Sequence, residues 1–272
     1  MKPQTARDRV TLSIEDHIAT VTLNRPDKYN GLDLETLQAL VRTAKALRKN
    51  RDVRVVILRG EGKAFCAGLD FATVTRTPLK MLLAFTKFGV RKTNLFQQAC
   101  WAWRQLPVPV IAELHGYCYG GGLQLALAAD FRIASPECEL SVMEIKWGLI
   151  PDMTGTATLR ELLPMDVAKE LAMTGRRFDA REALSLHLVT RVAEDPHAEA
   201  LTLAQALLER SPDAVSASKA LFQRTWHQAE DQAFAEESRL QFTLLRGRNQ
   251  REAMSANLKK RAPVFRARQR EY

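Results

Sequence analysis

The spacing of apolar residues changes period several times along this chain, and each change predicts an element. Thr11–Ile14 and Ala19–Leu23 are short strand-like runs, and Asp16 and His17 between them predict a hairpin turn. Leu34, Leu37, Leu40, Val41, Ala44 and Leu47 fall at helical spacing, and Asp33 is placed to cap that helix. Val53 to Leu58 is almost continuously apolar, the pattern of a strand covered on both faces. Leu79 to Leu106 reads as helix, and Pro107 and Pro109 mark the start of a second apolar run, Val108 to Leu114. Leu123–Ala129 reads as a buried helix and Phe131–Ala134 as a strand. Strand and helix alternate to about residue 193, which indicates right-handed βα or ββα units. From Ala198 onward the chain reads as helix over about 198–210, 212–228, 230–247 and 249–260. No low-complexity linker or sharp shift in composition interrupts it. The expectation is an α/β core over residues 1–200 and a helical region over 201–272.

Composition narrows the class. The 272 residues are 46% hydrophobic and 26% charged, ample for one large core. No run of about 18 apolar residues exists, which argues against a membrane span. Met1 to Asp8 carries no apolar signal region, so a cytoplasmic protein is the expectation. Cys66, Cys100, Cys118 and Cys138 show no paired spacing and read as reduced, small, mostly buried residues. The net charge is +9, with much of the excess in Arg42, Lys45, Arg48, Lys49, Arg51, Arg54 and the last 27 residues. Such a surface favours polyanions, small phosphorylated molecules included. No aromatic-interleaved RNA motif or zinc-finger spacing accompanies it, which disfavours nucleic acid.

Two glycine-containing stretches carry the chemistry. Gly60-Glu61-Gly62-Lys63-Ala64-Phe65-Cys66-Ala67-Gly68-Leu69-Asp70 follows the first apolar strand run, and His115-Gly116-Tyr117-Cys118-Tyr119-Gly120-Gly121-Gly122-Leu123-Gln124 follows the second. Glycine permits sharp turns and leaves no side chain to block a ligand. Two such turns at adjacent strand ends can aim two backbone N–H groups at one point, as an oxyanion hole requires.

These stretches resemble the crotonase (enoyl-CoA hydratase/isomerase) superfamily, and four further segments extend the resemblance in the family's order. Leu23 to Leu32 resembles its early CoA-nucleotide segment, and Met143 to Asp152 its catalytic segment. Thr174-Gly175-Arg176 through Val189 and Lys259 to Phe265 resemble its later motifs. The likeness runs from about residue 8 to 268. It implies a crotonase-like spiral of ββα units with a C-terminal helical trimerisation region, and a homotrimer or a dimer of trimers. The implied substrate is an acyl-CoA, so coenzyme A arrives with the substrate; no separate cofactor and no metal are expected.

The resemblance also implies site residues. The oxyanion donors fall on the N–H groups of Leu69 and Gly121, and Gly120 to Gly122 opens a helix whose N-terminal end favours negative charge. The family's hydratases place two glutamates opposite the enoyl group. The second matches Glu144; the first falls on Gln124, an amide with no proton to exchange near neutral pH. Asp152 stands where plain hydratases have glycine. An aspartate there is similar to dienoyl-CoA isomerases, 3-hydroxyisobutyryl-CoA hydrolases and 4-chlorobenzoyl-CoA dehalogenases. The dehalogenases carry tryptophan at the glutamate position, so Glu144 disfavours that chemistry. Glu144 and Asp152 moving one proton fit double-bond isomerisation first. Hydration by Glu144 with Gln124 positioning water comes second. Thioester hydrolysis, or acyl-CoA or RNA binding without turnover, follows. Arg25, Lys28 and the backbone near Asn30 are expected to flank the CoA nucleotide, and Ala67 and Asp70 the pantetheine path. Lys260 and Phe265 are expected to reach a partner subunit's CoA. Thr75 to Phe96 is expected to shape the acyl pocket, with Met81, Leu82, Leu83, Phe85 and Phe88 either core or ligand-facing. His115 and His17 read as structural.

Overall fold

The computed structural model describes residues 8–74, 78–87 and 92–272. In chain order the elements are β1 (Val10–Glu15), β2 (Ile18–Leu23), α1 (Leu34–Lys49), β3 (Val55–Gly60), α2 (Phe71–Val74), α3 (Pro78–Phe85) and α4 (Leu95–Arg104). There follow β4 (Val110–Leu114), β5 (Tyr117–Tyr119), α5 (Gly121–Leu127), β6 (Phe131–Ala134), β7 (Glu139–Ser141), α6 (Gly155–Leu162) and α7 (Met165–Thr174). The chain continues through β8 (Phe178–Asp179), α8 (Ala180–Ser185) and β9 (Arg191–Val192) to α9 (Pro196–Leu208), α10 (Pro212–Thr225), α11 (Glu230–Leu245) and α12 (Arg248–Leu258).

One sheet runs in the order β1-β2-β3-β4-β6-β9, and a smaller one in the order β5-β7-β8. β1 and β2 form the expected antiparallel hairpin, turned by Asp16 and His17 at φ 45° and 68°. From β2 to β9 the large sheet is parallel. The near-continuous apolar strands have a direct cause. Val56, Leu58, Ala112 and Leu114 enter the core shared with α1, α4 and α5, while Val55, Ile57, Ile111 and Ile133 pack under Ala200 and Ala204 of α9. Alternation along each strand thus buries both sheet faces.

α1 begins where expected, with the Asp33 side chain accepting from the Thr36 N–H at 2.8 Å. The expectation of helix throughout Leu79–Leu106 is corrected. α4 starts afresh at Leu95, because Asn94 and Gln97 form a reciprocal capping box. All four cysteines are buried and unpaired. Among the described residues no helix is long and apolar enough to cross a membrane.

β3 and β4 are parallel neighbours, so the loops that follow them leave the same sheet edge. Backbone bonds zip these loops together: Phe65 N–H to His115 O at 2.9 Å, Cys66 N–H to Tyr117 O at 3.0 Å, and Tyr119 N–H to Cys66 O at 3.0 Å. The residues just beyond the zipper form the candidate site.

Candidate active site

Leu69 lies where the first loop pairs with Leu32. The Leu32 N–H donates to Gly68 O at 2.8 Å and the Asp70 N–H to Leu32 O at 3.0 Å. This parallel bridge uses the groups on either side of Leu69 and leaves its own N–H on the other side. Gly121 is the first residue of α5, so its N–H has no partner within the helix. Among the described residues, neither N–H donates to another protein group. The two backbones lie close: a Cβ built on Gly68 would sit 3.6 Å from the Gly121 nitrogen. Cys66 holds the first loop from below, donating from Sγ to Asn30 O at 3.1 Å.

Glu144 opens a short 3-10 helix, Glu144–Trp147, after β7. Its side chain lies against Gly120, whose φ is 50°, and a Cβ there would meet Oε1 at 3.3 Å. The residue is 7% exposed. Oε1 accepts from Nε2 of Gln124 at 2.5 Å, and Oε2 is buried without a hydrogen-bond partner among the described residues. Burial pushes the Glu144 carboxyl above its usual range. Its own backbone N–H and the Gln124 amide pull it back, and the charge of Asp152 adds to the rise. Burial also raises Asp152. Burial thus shifts both carboxyls in the same direction, upward from their ordinary values.

Gln124, in the wholly buried helix α5, bonds at both ends. Oε1 accepts from the N–H groups of Met153 and Gly155, both at 2.8 Å, while Nε2 donates to Glu144. These partners were not legible in the sequence, since 29 and 31 residues separate them from Gln124. Met153 also packs against the start of α5, its Sδ lying 2.7 Å from where a Gly121 Cβ would be. A second feature not anticipated is a ring pair, Phe71 against Trp147, with centroids 4.4 Å apart. It bridges the segment just after Leu69 and the segment just after Glu144.

The residues expected along the CoA path fall into two groups. Arg25, Asn30 and Asp70 form an internal brace. The Arg25 guanidinium donates to Gly31 O at 3.0 Å and pairs with Asp70 at 2.8 Å and Asp33 at 3.6 Å. The Asn30 side chain accepts from Arg25 N–H and donates to the carbonyls of Glu61 and Ala64. Lys28 is exposed, and Ala67 is half-buried with its N–H on Tyr29 O. Phe265 lies under the Arg54 guanidinium, 5.6 Å from its ring centroid, beside the start of β3. That is the sheet edge opposite the glycine loops, so the chain does not bring Phe265 to its own site. Lys260 is exposed beyond α12.

Of the acyl-pocket segment, Phe88 and residues 75–77 and 88–91 lie outside the described residues, as does the side chain of Met81. Leu82, Leu83 and Phe85 are exposed, so they are not core. His115 and His17 hold backbone carbonyls of Gly62 and Asp52. Among the described residues, no group of three or more His, Cys, Asp or Glu could hold a metal ion.

Chemically, two unspent N–H groups beside a buried carboxyl suit a reaction that builds negative charge on an oxygen and moves a proton nearby. Known proteins resemble this chain along most of its length. The family model for enoyl-CoA hydratase/isomerase matches residues 13–268. The (E)-benzylidenesuccinyl-CoA hydratase of Thauera aromatica is 35% identical over 213 residues, 77% of this chain and 80% of that protein. The peroxisomal Delta(3,5)-Delta(2,4)-dienoyl-CoA isomerase of Arabidopsis thaliana is 31% identical, covering 89% of this chain and 90% of that protein. The crystal structure of an enoyl-CoA hydratase from Bacillus anthracis superimposes with a TM-score of 0.86 at 29% identity, covering 94% of this chain and 98% of that one.

Proposed function

The chain belongs to the enoyl-CoA hydratase/isomerase family, and from that premise we propose that it moves the double bond of an enoyl- or dienoyl-CoA. The thioester oxygen accepts from the N–H groups of Leu69 and Gly121. Glu144 removes a proton from the carbon α to the thioester, and the electron pair passes into the carbonyl as an enolate held by the two donors. A proton then returns at a carbon further along the chain, delivered by Asp152 or by Glu144. For a 3-enoyl substrate, C2 loses a proton, C4 gains one, and the double bond moves from C3–C4 to C2–C3. No water is consumed.

The observation that carries this reading is the state of Glu144: buried, with one oxygen held and, among the described residues, the other unpartnered and the two nearby donors unused by any protein group. Asp152 supplies the second carboxyl. Hydration by Glu144 with Gln124 positioning water is the second reading, favoured by the 35% identity to the Thauera hydratase. Against it, the Gln124 amide is neither an acid nor a base near neutral pH, and both its ends are already engaged.

The test compares Glu144→Gln and Asp152→Asn with the parent protein on 3-enoyl- and 3,5-dienoyl-CoA. Migration lost in both variants supports the paired-carboxyl isomerase; water addition surviving in Asp152→Asn supports the hydratase instead. A trimer joined through the C-terminal helices completes the reading. Phe234, Phe242 and Leu258 are exposed there, and Lys260 and Phe265 would then face a neighbour's CoA. Sedimentation at micromolar concentration tests that assembly.

A further inference from the structure

We infer that Gln124 is a positioning residue that ties Glu144 to the turn carrying Asp152, leaving Oε2 as the one oxygen of Glu144 that handles the proton. The inference rests on the proposed acid/base role of Glu144.

The hydrogen bonds fix the amide's direction. Two backbone N–H groups, from Met153 and Gly155, converge on one side-chain atom at 2.8 Å, and only the carbonyl oxygen can accept both. Nε2 must then face Glu144, and it donates to Oε1 at 2.5 Å. All three bonds are buried, Gln124 being 2% exposed. Gly155 is required for this approach, since a Cβ there would lie 2.7 Å from the Gln124 oxygen. Oε1 is thereby occupied, while Oε2 has no partner among the described residues. Met153 adjoins Asp152 directly, so the amide anchors the backbone next to the second carboxyl.

The amide does two things to the proton transfer. It holds the carboxylate in one rotamer, which reduces the search for a reactive geometry. It also stabilises the charged form of Glu144, opposing the effect of burial. A glutamate at position 124 would still accept both N–H groups. Its second oxygen, however, would meet Oε1 of Glu144, and two anions at that distance must share a proton.

The experiment compares Gln124→Met and Gln124→Glu with the parent and with Glu144→Gln. The readouts are α-proton exchange of 3-enoyl-CoA in deuterated water across pH, acyl-CoA affinity, and melting temperature. In Gln124→Met exchange should fall about tenfold or more, the weight of one hydrogen bond to a charged group. Affinity should stay within about twofold, because the amide acts on the proton transfer rather than on uniform binding. The acidic limb of the rate should move to higher pH in both Gln124 variants. A purely structural role would lower exchange equally at every pH and leave the limb in place; that result, or affinity lost in step with exchange, overturns the inference. Should Gln124→Met melt early, Gln124→Glu decides, since it keeps both backbone bonds. Full exchange in Glu144→Gln would instead overturn the reading of Glu144 itself.

Discussion

A backbone donor cannot be deleted by trimming a side chain, but it can be displaced, and Gly68→Ala does so. Gly68 has φ 91°, and its Cβ would lie 2.9 Å from the Tyr119 carbonyl oxygen and 3.6 Å from the Gly121 nitrogen. Reaching ordinary contact, 3.4 Å or more, requires the two loops to part by about half an ångström. The left-handed backbone alone costs an alanine about 1–2 kcal/mol of stability. Parting the loops moves the Leu69 N–H away from the Gly121 N–H. Loss of one oxyanion donor is worth about 3 kcal/mol of barrier, roughly a hundredfold in rate. Gly148→Ala is the control. It has φ 68° and nothing within 4 Å of its Cβ, so it carries the backbone cost without the wedge. The assay is denaturant unfolding beside turnover per folded molecule. The expected result is a larger stability loss in Gly68→Ala, by the cost of the wedge, and a rate loss confined to that variant. Turnover per folded Gly68→Ala within about threefold of the parent would refute the two-donor reasoning.

Other outcomes follow from the same geometry. Because the native Glu144 carboxyl holds its proton above the ordinary value of 4.5, the unfolded chain releases a proton first as pH rises. Stability relative to Glu144→Gln should therefore fall as pH climbs from 4.5 to the native value and then level off, measured by urea titration at stepped pH. Lys219 is buried against Asp130 at 2.7 Å and Val108 O at 2.9 Å. Lys219→Met should cost about 3 kcal/mol by leaving Asp130 without its cation, read from the same unfolding curves. The four thiols should resist a disulfide reagent in the folded protein and react on unfolding. Burial raises all four, Cys66 and Cys138 to about 12.

The parts of the fold legible in the sequence were those with long periodic runs. α1 with its Asp33 cap, the doubly buried β3 and the helices α9 to α12 each hold a period over many residues. The break before α4 lay inside a helical pattern, and the reciprocal Asn94–Gln97 pairing marks it. The sheet of β5, β7 and β8 has strands of two or three residues, too short for a period, and is held by the loop zipper. Residue types at the site, a glutamine where a second carboxylate could stand and an aspartate after Pro151, were visible in the sequence. Their geometry was not. Gln124 finds its partners in a distant turn, and Arg25 and Asn30, read as CoA contacts, have side chains occupied in a buried brace with Asp70. Such long-range polar pairings leave no local pattern.

The proposed reaction moves a double bond and adds no water. The direct measurement is incubation of the parent protein with 3-enoyl-, 2-enoyl- and 3,5-dienoyl-CoA in deuterated water, followed by mass and ultraviolet absorbance. The expected result is a shifted double bond in a product that takes up deuterium at carbon without gaining the mass of water. A product heavier by one water from 2-enoyl-CoA, with 3-enoyl- and 3,5-dienoyl-CoA unchanged, would contradict it.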